Sequence, residues 1–374
     1  MSIKKISVYF FAAIALLAGC SKEVPQTQQP DPDAWMFDVS LPVPVRFHSG
    51  DAASKAAIEK ATQMVGKRFA FFAVNKKVTD PNDKEINFPN NVKAKCAAID
   101  GNDSQVRFDF EDAYGNLTSY YYPMQSEECY SFYSYYCSEA ANTPAQSWPE
   151  PTITDTSITV DIKVAVTEDI LWGKAVAEKV DSYDGYNARY IRKVNNSTPS
   201  ITFEHPAACI EFAVTRKESV SDDGTTGLTL NAANLMNIAN KATLCIVDTD
   251  TATDYSGCFT GVVSKNRVSV LPAPQQLSTT SSYELPDLFI MPQNEPLTLK
   301  LDFTVEGSSS ILSQEYPIDP ADYNLTNGFE RGKRYRFNLI VYSPVKVDIV
   351  AEVLPYEDAF GEGVVEEYDP DAID

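Results

Sequence analysis

The sequence predicts an all-β protein built as two tandem β-sandwiches. Apolar residues recur with period two. Ile158, Val160, Ile162 and Val164 alternate with Thr159, Asp161 and Lys163, and Leu297, Leu299, Leu301, Phe303 and Val305 alternate with Thr298, Lys300, Asp302 and Thr304. Such alternation marks a strand with one face buried. The stretches between stripes are turn-rich, as in DAYGN, SDDGTTG and DPADYNLTNG. Many short strands separated by turns point to sandwiches rather than to a parallel α/β sheet. Residues 35–374 are too many for one small core, so two domains are expected, at 35–190 and 191–374.

The chain opens with two lysines in residues 1–5 and an almost wholly apolar run over residues 6–18. That run is shorter than the ~20 residues a bilayer span needs, and it has the length and flanks of a signal-peptide core. It ends in Leu17-Ala18-Gly19-Cys20, which matches the bacterial lipobox. Residues 1–19 are therefore expected to be removed between Gly19 and Cys20, with Cys20 carrying the lipid. Residues 20–34 are polar and Pro-containing and read as a tether, with a reach of about 45 Å when extended. Removing Lys4 and Lys5 takes the net charge from −21 to −23. Such a surface repels nucleic acid and anionic headgroups, so no nucleic-acid partner is expected.

Further along, residues 52–64 show helical spacing, with Ile58, Ala61 and Met64 on one face, and read as a short helix or a loop. RFAFFAV at 68–74 is the first strong strand of the body. Residues 120–137, YYYPMQSEECYSFYSYYC, hold seven Tyr. Both faces of the strand at 130–136 carry aromatics, so at least one face is expected to be half exposed, where Tyr has a ring to bury and a hydroxyl for water. Tyr335, Phe337, Leu339 and Val341 form another stripe, and so do Val345, Val347, Ile349, Ala351 and Val353. Residues 356–374 hold eight acids and no base and read as a solvated tail.

Six cysteines follow Cys20. Cys129 and Cys137 on one strand would stand ~26 Å apart, beyond bridging distance. Cys245 and Cys258 flank the turn-rich DTDTATDYS, so a hairpin there would set them opposite each other, and they are the candidate disulfide. No CxxC pair exists, and Asp248, Asp250 and Asp254 match a calcium loop only loosely, so neither a metal nor another cofactor is expected. The two histidines, His48 and His205, read as a loop residue and as a core-edge residue held by a local hydrogen bond. GxSxG, HExxH and a Gly-rich phosphate loop are all missing from the sequence, so no catalytic residue is assigned.

Several stretches in order resemble one family, the fimbrillin (FimA/Mfa-like) proteins of Bacteroidales. YYYPMQSEECYSFYSYYC resembles the family's YYP…YSFYGYYP corner, with Cys137 in place of the usual Pro. DILWGKA followed by ITFEHPAACIEF, then LFIMPQNEPLTLKLDFTV, then RGKRYRFNLIVYSPVKVDIVAEVLPYED resemble its later strands, with Tyr356 where Trp is common. The resemblance implies two stacked Greek-key sandwiches of transthyretin-like type. It also implies a lipoprotein exported to the outer membrane and polymerised into adhesive pili. Its partners would be other pilus subunits and a host or bacterial surface ligand. In stalk subunits of that family an Arg-specific protease removes the first strand, and a neighbour's strand fills the groove. Here residues 35–45 (WMFDVSLPVPV) read as that strand, with Met36, Asp38 and Ser40 outward and Phe37, Val39 and Leu41 inward. The candidate cleavage site is Arg46-Phe47, since Arg68 abuts a core strand. The expected donor is residues 345–353 or the tail just after them. The alternative is a monomeric, glycan-binding surface lipoprotein; clustered outward tryptophans would favour it, but Trp35, Trp148 and Trp172 lie far apart in the sequence.

Overall fold

The computed structural model describes residues 47–49, 61–75, 91–99, 102–112, 114–122, 128–137, 148–154, 156–175, 177, 185–193, 198–217, 227–249 and 254–354. The fold is all-β, made of one closed sheet and two layered sheets.

The chain first lays down β1 (Phe47–Ser49), β2 (Arg68–Asn75), β3 (Val92–Ile99), β4 (Asn102–Glu111) and β5 (Tyr130–Tyr136). After β6 (Pro151–Ile153) and β7 (Ser157–Lys163) come β8 (Leu171–Ala175) and β9 (Ser200–Glu204). Strands β1, β4, β3, β2, β5, β8 and β9 close on themselves in that order. Inward residues fill the barrel, among them Phe69, Phe71, Phe108, Phe132 and Phe203. The Phe69 ring meets those of Phe108 and Phe203 at 5.1 and 5.2 Å between centroids. The helical stretch expected at 52–64 is described only over its last residues, as α1 (Ala61–Met64).

The rest forms the two layers. Their strands are β10 (Ala208–Arg216), β11 (Leu228–Asp248), β12 (Phe259–Ser269), β13 (Gln275–Gln276), β14 (Tyr283–Glu284), β15 (Leu288–Ile290), β16 (Leu297–Val305), β17 (Leu312–Ile318), β18 (Arg334–Ser343) and β19 (Lys346–Leu354). One layer runs β14-β10-β18-β19, with β15 also on β10. The other runs β17-β16-β11-β7-β6, with β12 and β13 on the far edge of β11. Leu230, Leu235, Leu299 and Phe303 of one layer meet Ile210, Phe212, Phe337 and Leu339 of the other.

Pairing does not change hands at residue 190. β6 and β7, before it, pair in the sheet of β11, and β9, after it, closes the barrel. The chain thus crosses between the two assemblies three times. A third core fills the space between them, where Ala70, Phe72, Tyr135 and Trp172 of the barrel's outside meet Ile158, Val160, Leu244 and Ile246.

That third core narrows one expectation. The Tyr-rich strand β5 was expected to keep a half-exposed face, and its outer face is half-buried at Ser131 and Tyr133 but fully covered at Tyr135. Tyr130, Phe132 and Tyr136 point into the barrel, while Tyr135 and Cys137 point into the core between the assemblies. Aromatics on both faces mean a strand shared by two cores, as a run of five buried residues does in β2.

A tight contact locks the junction. Trp172 on β8 donates from Nε1 to the Ile246 carbonyl on β11 at 2.9 Å, and Gly257 lies against its ring. Gly257 has φ +74°, and an added Cβ would stand 2.5 Å from the indole. Gly257→Ala combines a left-handed backbone with overpacking and should cost about 2–4 kcal/mol. Urea unfolding of the variant measures this, and an unchanged midpoint would refute the lock.

Candidate functional site

The weakest seam of the barrel lies where its first strand closes it. β1 runs antiparallel to β4, with Phe47 opposite Phe108 and His48 opposite Arg107. It runs parallel to β9, with His48 opposite Ser200 and Ser49 opposite Ile201. That is two registered pairs on each side, against at least four at every other seam of the barrel. Only two of the ten residues of β4 register with β1. Behind the seam lie Phe108, Ile201 and Phe203, all buried, with the two Phe rings 6.0 Å apart. Lifting β1 away would expose two strand edges and this apolar floor together, which is what a foreign strand needs in order to bind.

Gly19, Cys20, residues 35–45 and Arg46 lie outside the described residues, as does Trp35. Phe47, the residue after the candidate cleavage point, begins β1. Arg68 sits in β2 with Nε 2.7 Å from Glu111 Oε2, which ties it to the barrel wall. Residues 345–353 fall within or beside β19, which registers with β18 at nine positions.

The Cys245–Cys258 hairpin forms, but the disulfide does not. The Cys245 amide donates to the Cys258 carbonyl at 2.9 Å, and both thiols are free. Cys245 Sγ turns to the Val247 carbonyl at 3.4 Å, while Cys258 Sγ accepts from Arg331 at 3.0 Å. A register shift between Thr243 and Leu244 distorts the ladder there, so the two side chains take different partners. His205 is buried as expected, but its partner is distant. Its Nδ1 stands 3.1 Å from Asp169 Oδ1, and the same oxygen accepts from the Ile170 amide.

One buried charge had no sequence signal. Lys93 alternates with Lys95 on β3, and the spacing gives both the same outward reading. Yet Lys93 is buried, because the segment before β6 lays Trp148 over it. Its Nζ lies 4.3 Å from the Trp148 ring centroid and donates to Asn91 O and Oδ1 at 2.9 and 2.6 Å. Beside it opens a cavity of about 530 Å³, lined by Glu111, Asp112, Tyr120 and Glu150 among others. Burial pulls the amine down to about 7, against a smaller upward pull from Glu150.

The profile of a family described as fimbrillin-like matches residues 66–355. Among solved structures, a protein from Bacteroides uniformis assigned to cell adhesion is 16% identical, with 84% of this chain and 98% of that one covered, at a TM-score of 0.49. A fimbrial protein from Bacteroides vulgatus is 12% identical, with 84% and 99% covered, at 0.48. The fimbrial anchor protein Mfa2 from Porphyromonas gingivalis is 9% identical, with 84% and 97% covered, at 0.30. No curated protein matches the chain.

Lys93 makes stability depend on pH with a definite sign. Its folded value, about 7, is below the ordinary 10.5. Below pH 7 the folded state bears the full cost of a buried cation. As pH rises from 7 toward 10.5, the folded state sheds a proton that the unfolded chain keeps, so stability rises, by at most about 1.4 kcal/mol per pH unit. Lys93→Met lacks this dependence. Urea titrations at pH 6 and 9 should show the parent gaining about 2 kcal/mol on the variant. An equal gap at both pH values would contradict the assignment.

Proposed function

The chain belongs to the fimbrillin-like family, and from that premise we propose that it is an exported lipoprotein subunit of an adhesive pilus. The β4–β9 seam is the observation that carries this reading. In it, the chain is lipidated at Cys20, held at the outer membrane by the tether, and assembled outside the cell with other pilus subunits. It has no catalytic role. Cleavage at Arg46-Phe47 severs residues 35–46 and leaves β1 as a three-residue free end with two registered pairs per side. A longer strand from another subunit then displaces β1 and covers Phe108, Ile201 and Phe203. Residues 345–353, the donor expected from the sequence, would exchange β18 for β4 and β9 as partners. One ladder is traded for another, and a nearly balanced trade suits regulated assembly. The monomeric glycan-binding alternative draws no support from the tryptophans that are described, since Trp148 and Trp172 are both buried.

Trypsin treatment of the purified precursor should yield a body beginning at Phe47 and, with it, higher oligomers on a gel. Arg46→Ala should yield none of these gel-stable oligomers under the same treatment. If Arg46→Ala polymerises as well as the parent, strand exchange after this cleavage is wrong for the chain. Separately, Cys20→Ala should abolish incorporation of radiolabelled palmitate while the body still folds, as read by circular dichroism. Label entering that variant would reject the lipid assignment.

A further inference from the structure

β12 is a strand that its packing does not explain. Residues 262–267 are all exposed, so neither face is covered. Val262 and Val263 are each 45% exposed. Among the described strands β12 pairs with β11 alone, which leaves its other edge open over eleven residues. An open edge of this length is a template for another strand. Lys265 and Arg267 lie along it, and edge cations of this kind block indiscriminate pairing. They also select a partner that brings acids to the matching places.

The chain contains such a partner. Residues 261–267 read GVVSKNR, and residues 363–369, in the acidic tail, read GVVEEYD. Both begin Gly-Val-Val. The positions that follow carry opposite charges at the same offsets, Lys265 against Glu367 and Arg267 against Asp369. We propose that residues 363–369 of a second copy add to the open edge of β12 as a parallel strand. Val364 then lies beside Val262, Val365 beside Val263, Glu367 beside Lys265 and Asp369 beside Arg267. An antiparallel strand that kept the valines together would set Phe360 against Arg267, so only the parallel register satisfies both cations. Apolar cross-strand pairs and opposite charges both stabilise such a ladder. In the structure Lys265 pairs with Glu295 at 3.1 Å, both exposed. An exposed pair of this kind is worth little and yields to an incoming acid.

The topology directs the tail to another copy. β12 shares its side of β11 with β13, opposite β16, and β13 leads through six residues to β14. β14 is one edge of its sheet, and β19, whose last residue is Leu354, is the other. A tail leaving Leu354 would have to round the sandwich on residues 355–362 alone to reach its own β12. A second copy makes no such demand. The contact is distinct from the β4–β9 seam and holds whether or not Arg46 is cut.

Sedimentation velocity over a range of concentrations tests this with uncleaved full-length chain. The parent should associate reversibly. Lys265→Glu with Arg267→Glu should weaken association at least tenfold, and so should Glu367→Lys with Asp369→Lys. A chain carrying all four substitutions should regain association to within about threefold of the parent, which excludes misfolding as the cause of the losses. A parent that stays monomeric at every concentration overturns the proposal. So does insensitivity to either reversal, or a fourfold variant that fails to recover.

Discussion

The architecture depends on one strand serving two cores. β11 runs for 21 residues, and its two halves answer to different partners. Leu228, Leu230 and Leu235 pack under the sheet of β10 and β18, while Ala242, Leu244 and Ile246 pack against the outside of the barrel. Between them stands Asn237 with φ +51°, beside a register shift from Leu235 to Ile238. Asn tolerates this left-handed conformation better than most residues, and the irregularity re-aims the strand from one core to the next. β11 belongs to the sandwich sheet and meets the barrel through Ala242, Leu244 and Ile246 and the Trp172–Ile246 hydrogen bond, and the placing of β7, β12 and β16 follows from it.

Local strand character was legible in the sequence, and shared burial was not. The stripes at 158–164, 297–305 and 335–341 appear as β7, β16 and β18 with clean alternation, because each has one buried face. β5 and β2 were harder to read for the opposite reason. With apolar or aromatic residues packed on both faces, their sequences show little polar alternation, and a single sequence cannot tell double burial from half exposure. The exchange of β6, β7 and β9 across residue 190 was equally hidden, since strand partners many residues apart leave no local mark. Lys93 belongs to the same class. Its neighbour Lys95 is exposed, and only the arrival of Trp148 from 55 positions away separates the two.

The candidate site divides along the same line. The resemblance implied an Arg-specific cleavage, and the strand-like residues 35–45 between tether and body marked Arg46-Phe47 for it. That Phe47 starts the shortest barrel strand, and that Phe108 and Phe203 lie behind it, required the fold. Sites made from strand edges are hard to foresee, because their chemistry is backbone amide and carbonyl, which every residue carries. What distinguishes one edge from another is length, cover and flanking charge. Among the described strands, the β1 seam is the least paired join of the barrel and β12 is the longest edge strand.

The three crossings between barrel and sandwich also have a mechanical meaning. Two beads on a single linker part as soon as their contact slips. Here the two bodies are stitched by β7 lying along β11, by the return of the chain to β8 and β9, and by β10 leaving again. A pull that separates them along β11 must shear the whole β7–β11 ladder at once rather than unzip it bond by bond. Tension on the chain is then shared across the hydrogen bonds of that ladder rather than falling on one linker.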